Sequence, residues 1–128
     1  MVPPRILADV EALRAEGLTV EVLEDGGVTF GVLLKGYTLA PGAWNRPATD
    51  VLVLVTAAHP NAKLDMFWVA PGLRLANGTV PKAGDSETMH FGRPWQRFSW
   101  HATQWNPGRD TILTYLREVV DHRLSLRE

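Results

Sequence analysis

The run Val51-Leu52-Val53-Leu54-Val55 is apolar at every position. A strand of that kind has no solvent face to spare, so it is central in its sheet and covered on at least one side. Segments rich in Gly and Pro set it off, Ala40-Pro41-Gly42 before it and the stretch from Ala57 to Asp65 after it. Its neighbours are found on both sides. Thr19 to Leu23 alternates Val20 and Val22 with polar residues, Asp25-Gly26-Gly27 is a hairpin turn signal, and Val28 to Leu34 is the returning strand. Met66-Phe67-Trp68-Val69 is a fourth short strand, ended by Pro71-Gly72.

Helices close the two ends. Ile6, Leu7, Val10 and Leu13 recur at helical spacing over residues 5–16, with Gly17 as a stop. Asn106-Pro107-Gly108 reads as a helix start, with Asn106 as the cap and Pro107 in the first turn. From about Arg109 to Leu124, an apolar stripe runs through Ile112, Leu113, Leu116, Val119, Val120 and Leu124. Between strand four and this helix, residues 70–97 read as a long irregular segment. The expected fold class is α+β: an N-terminal helix, an antiparallel meander of about four strands, a long irregular loop and a C-terminal helix.

Length and composition narrow the function classes. The 128 residues fit a single domain spanning 1–128. Thirteen basic and fourteen acidic residues leave a formal charge of −1, which argues against an extended nucleic-acid or anionic-membrane surface. No apolar stretch approaches the roughly 18 residues of a membrane span, and Met1-Val-Pro-Pro-Arg5 does not read as a secretory signal. A cytoplasmic location is the expectation. There is no cysteine, which excludes disulfides, thiolate metal sites and a cysteine nucleophile.

Chemistry-bearing residues concentrate in Gly92-Arg93-Pro94-Trp95-Gln96-Arg97-Phe98-Ser99-Trp100-His101. Arg stacked on Trp suits a planar or anionic partner, so Trp95, Arg93, Trp100 and Trp105 are the candidate binding residues. Ser99 and His101 share a face if they lie on one strand. A hydroxyl and an imidazole do acyl-transfer chemistry only where they meet and an acid orients them. The plain alternative is a half-buried aromatic cluster. Asp65 stands at a strand entrance as a turn residue or as an orienting acid. His59-Pro60-Asn61 reads as an exposed turn. No metal or cofactor set is assigned, although His90 and His101 with Asp85 or Glu87 are a conceivable one. His122, near the end of the last helix, suits a surface position facing the helix dipole.

Several of these residues resemble a known family. The element order looks like the ubiquitin-conjugating-enzyme (UBC) fold. Gln104-Trp105-Asn106-Pro107 is similar to that family's Trp-Ser-Pro helix start, and His59-Pro60 to its Tyr-Pro turn after the third strand. Asp65-Met66-Phe67-Trp68, Leu75 with Asn77-Gly78, the Gly92–His101 stretch and Trp105-Asn106-Pro107-Gly108-Arg109-Asp110 more specifically resemble the prokaryotic ubiquitin-conjugating-like family E, over about residues 17–124. The resemblance implies a UBC-like domain with a long active-site loop. It also implies partners drawn from ubiquitin-like proteins, ThiF-type activating enzymes and JAB-type metallopeptidases.

The departure from the family is chemical. Counting back from Trp105, the position that usually carries the thioester-forming cysteine falls on about Arg97. Three readings follow. The first is a UBC-like component of a bacterial conjugation system, non-standard or inactive in thioester transfer. In it His101 is the reacting or proton-transferring group, Arg97 and Arg93 stabilise developing charge, Ser99 is a weaker nucleophile and Asp65 orients. The second is a non-catalytic protein-interaction module. The third is a small His-dependent hydrolase or metal enzyme built on His90 and His101.

Overall fold

The structure is a computed structural model that describes the backbone of residues 2–101 and 104–126; the side chains of 100, 101 and 126 lie outside the description. Helix α1 (Pro4–Ala15) starts with Pro4 at its first position, where the missing N–H costs nothing. Six strands follow: β1 (Thr19–Glu24), β2 (Thr29–Thr38), β3 (Ala48–Thr56), β4 (Asp65–Val69), β5 (Ser86–His90) and β6 (Arg93–His101). They form one antiparallel sheet in the order β1-β2-β3-β4-β6-β5. The chain ends in α2 (Ile112–Tyr115), a π-helical turn over Leu116–Val120, and α3 (Asp121–Leu126).

β3 is central, as its apolar sequence requires. Its alternate side chains divide between two cores. Val51, Val53 and Val55 face the helices, packed with Val32, Leu34, Phe67 and Phe98 from the sheet. Ile6, Val10 and Leu13 of α1 and Ile112, Tyr115, Leu116, Val120 and Leu124 of the C-terminal helices complete that core. Leu52 points the other way, into a smaller cluster with Leu33, Trp68 and Trp95. The helices therefore cover one face, as expected, while the second face is covered in part by the sheet's own aromatic residues.

Three expectations are corrected. The sheet has six strands and not about four, because the segment read as irregular contains β5 and the start of β6. β5 escapes the hydrophobic pattern because it is an edge strand whose inward residues are Ser86, Thr88 and His90. The C-terminal helix begins later than Arg109: Thr111 caps it, its side chain accepting from the Thr114 N–H while the Thr114 hydroxyl accepts from the Thr111 N–H. Asn106 instead closes a turn, accepting from the Gly108 N–H at 2.9 Å.

Gln96 is among the side chains that tie down residues 70–85, with Asn45, Arg46 and Arg123. Gln96, 2% exposed, accepts from the Leu73 N–H at 2.8 Å and donates to the Leu73 and Gly84 carbonyls at 3.1 and 2.8 Å. A buried amide so satisfied stabilises both loop ends at once. The β5–β6 turn is held differently. A Cβ built on Gly31 of β2 would lie 2.6 Å from Phe91 Cε2, so Phe91 reaches across the open face and rests on the space that glycine leaves.

Candidate functional site

β6 carries most of the candidate residues, and its ladder decides which of them meet. His101 is the register partner of Asp65 at the far end of the β4–β6 pair. Phe67 pairs with Phe98, so three steps along β6 answer two along β4, and the ladder is irregular there. Met66 has a positive φ of 59° at this point. An extra residue in one strand bends it and re-aims the side chains. The extra residue lies between Phe98 and His101 on β6, and the expected shared face of Ser99 and His101 falls outside the description because the His101 side chain is not described. What the ladder does bring together is the backbone of Asp65 and of His101, an acid and an imidazole-bearing residue.

Helix α2 walls this end. The Tyr115 hydroxyl donates to the Met66 carbonyl oxygen, the carbonyl nearest the irregularity. Burial, and to a lesser extent the Asp65 charge, pushes the Tyr115 phenol above its ordinary value, which keeps it a neutral donor. Ser99 is half-buried and its N–H donates to the Ala83 carbonyl at 3.0 Å.

The other candidates lie further down β6. Arg97 is the register partner of Trp68 on β4 and of Ser86 on β5. Its Nε is buried with no hydrogen-bond partner among the described residues. Arg93, at the start of β6, stacks its guanidinium 4.1 Å from the Trp95 ring centroid. Trp95 itself is 1% exposed and donates Nε1–H to the His90 carbonyl at 3.2 Å. Both residues line a cleft of about 220 Å³ with Asp50, Ala70, Pro71 and Pro94. The aromatic stretch is therefore not one exposed surface. Strand alternation sends Trp95 to one face of the sheet and Phe98 to the other. Trp105 is half-buried against the His59 ring and donates Nε1–H to the Pro60 carbonyl at 2.7 Å. The backbone of Trp100 belongs to β6, and its side chain lies outside the described residues.

His90 and His101 do not share a site. His90 pairs with Arg93, the first residue of β6, and His101 is the last. The reading built on that pair loses its geometry. Among the described residues, no group of three or more His, Cys, Asp or Glu side chains could hold a metal ion. No helix among them is long and apolar enough to cross a membrane.

Sequence reasoning missed a third constellation. His59 is buried, not exposed, and its Nε2 lies 2.7 Å from Asp9 Oδ2. Asp9 also accepts from Arg5 Nε at 3.1 Å and from the Ile112 N–H at 3.2 Å. One carboxylate thus joins α1, the turn after β3 and the start of α2. A signal existed, since Asp9 stands three residues after Ile6 and so on the buried side of α1.

No curated protein and no solved structure shows significant similarity to the chain. A family model does: the one described as prokaryotic E2 family E matches residues 6–126, nearly the full length. The chain belongs to prokaryotic E2 family E.

Proposed function

We propose that this chain is a single UBC-like domain serving a bacterial ubiquitin-like protein conjugation system without a thioester of its own. Family membership supports the setting, and the absence of any cysteine rules out the thioester. Its partners are a ubiquitin-like protein and a ThiF-type activating enzyme, with a JAB-type metallopeptidase as a further member of the system. The observation that carries a chemical role is the pairing of Asp65 with His101 at the walled end of the β4–β6 ladder. In this reading a ring nitrogen of His101 takes the modifier's C-terminal acyl group from the acyl-adenylate that the activating enzyme makes with ATP, AMP leaving, or His101 moves the proton. Asp65 orients it, and Arg97 and Ser99 are the supporting charge and hydroxyl. The second reading, a binding module without chemistry, draws on the Arg93–Trp95 cleft.

Intact-protein mass spectrometry separates the two. The chain is mixed with a ubiquitin-like protein, a ThiF-type enzyme and ATP from the same source. A mass increase of one modifier that is lost in His101→Ala supports the chemical role, and loss in Ser99→Ala alone moves the acceptor to the hydroxyl. No adduct, with measurable binding to either partner, supports the module and rejects the chemistry.

A further inference from the structure

The cleft at the start of β6 has a chemical character distinct from the Asp65–His101 end. Two of its walls are Pro71 and Pro94, which have no N–H to offer a ligand. Trp95, 1% exposed, lines it beneath the Arg93 guanidinium. The polar groups are therefore few. Arg93 lies over the ring with no hydrogen bond or ion pair among the described residues, so its fork of donors is available. Asp50, on another wall, gives Oδ1 to the Gly36 N–H at 3.0 Å.

The surrounding charge favours an anion. Arg46 donates to the Ala70 and Pro71 carbonyls behind the cleft wall, and it feels the charges of both Asp50 and Arg74. Two guanidinium groups, Arg93 on the cleft and Arg46 behind its wall, thus stand against one carboxylate, Asp50, in a chain whose formal charge is −1. At about 220 Å³ the cleft is smaller than the roughly 300–1,000 Å³ that holds a drug-sized ligand. It suits one or two small residues set between Pro71, Pro94 and the Arg93 side chain.

From this we infer that the Arg93–Trp95 cleft is a non-covalent site for the C-terminal end of an extended peptide with small terminal residues. Arg93 takes the terminal carboxylate in a bidentate contact. Asp50 accepts a backbone N–H of the peptide and disfavours a second negative charge. The site requires neither an adduct nor an activating enzyme, so it stands or falls apart from the chemistry at His101.

The test is a titration of the purified chain followed by indole fluorescence and amide chemical shifts. The probes are N-acetylated leucyl-alanyl-glycine with a free carboxylate, the same peptide as its C-terminal amide, and inorganic phosphate. The free acid is expected to bind with shifts at residues 93–95 and at Asp50, and the amide to bind at least about tenfold more weakly. Arg93→Gln, at an exposed position, keeps the fold by circular dichroism and lowers affinity for the free acid by about tenfold or more. Equal binding of acid and amide overturns the assignment, as does tighter binding of phosphate. So does unchanged affinity in Arg93→Gln, or the absence of any response to the acid up to about 5 mM.

Discussion

Asp9 and His59 stand fifty positions apart in sequence, yet their side chains meet at 2.7 Å, with 7% and 0% of their surfaces exposed. Asp9 is the common acceptor for Arg5, His59 and the first N–H of α2. Removing it leaves two buried donors without a partner, which costs far more than a surface ion pair is worth. Asp9→Ala is expected to lose about 2–4 kcal/mol of unfolding free energy. Arg5→Ala, whose side chain is 40% exposed, is expected to lose about 1 kcal/mol or less. Urea denaturation of the two variants checks the order; equal losses would contradict the shared-acceptor account.

Gly31 and Phe91 are matched by close approach. A methyl group on Gly31 meets the Phe91 ring at 2.6 Å and Leu52 Cδ1 at 3.1 Å, so the ring must move off the face. Gly31→Ala should destabilise by about 1–3 kcal/mol. In a Phe91→Ala background the same change should cost less, because the obstructing ring is gone. A double-mutant cycle reads that coupling directly, and strict additivity would disprove the contact.

Both tyrosines are held neutral. Burial is the main cause at each; Asp121 adds to it at Tyr37, both as the acceptor of the Tyr37 hydroxyl and by its charge, and the Asp65 charge adds to it at Tyr115. These are the only tyrosines in the chain, so absorbance at tyrosinate wavelengths reports on them alone. At pH 10, near the ordinary value of 10.0, the native protein should show almost no tyrosinate, and the urea-unfolded protein about half. The sign follows: above pH 10 the unfolded chain loses protons that the native state keeps, so stability falls as pH rises.

His90 has the opposite linkage. Its ring packs edge-on against Trp68 at 4.9 Å, its Nε2 is buried without a partner among the described residues, and burial lowers its pKa below the ordinary 6.5. The unfolded state then binds the proton more readily. Stability is full above 6.5 and declines as pH falls through 6.5 toward the lower native value. His90→Phe retains an aromatic edge on Trp68 and has no titrating group. Urea midpoints at acidic and neutral pH should therefore fall further in the parent chain than in the variant.

Residues whose partners are close in sequence, or whose burial follows a simple period, were legible without the fold. Val51 to Val55 had to be a covered strand, and Ile6, Val10 and Leu13 had to face a core, because alternation and the 3.6-residue period are local properties. The richness of Arg93 to His101 was equally plain, as was the missing cysteine, which excludes a thioester whatever the fold. What the sequence did not carry was register. The edge strand β5 turns the half-buried Ser86, Thr88 and His90 inward and so shows no apolar pattern; it exists because β6 lies beside it. The irregularity near Met66 sets the backbone of Asp65 opposite that of His101, a pairing that no local pattern states.

Tertiary structure alone decided the roles of the polar residues. Asp9 sits on an apolar stripe where a carboxylate by itself would be costly; Arg5 is one helical turn away, but His59 and the α2 N–H reach it only in the fold. His59 reads as a solvent turn until the fold buries it, and the Trp105 N–H finds its acceptor, the Pro60 carbonyl, only in the fold. The physical reason is the same in each case. Burial of an apolar side chain depends on its own surface, which the sequence states. The burial of a polar one depends on partners about fifty or a hundred positions away, and only the packed chain brings those within hydrogen-bond distance.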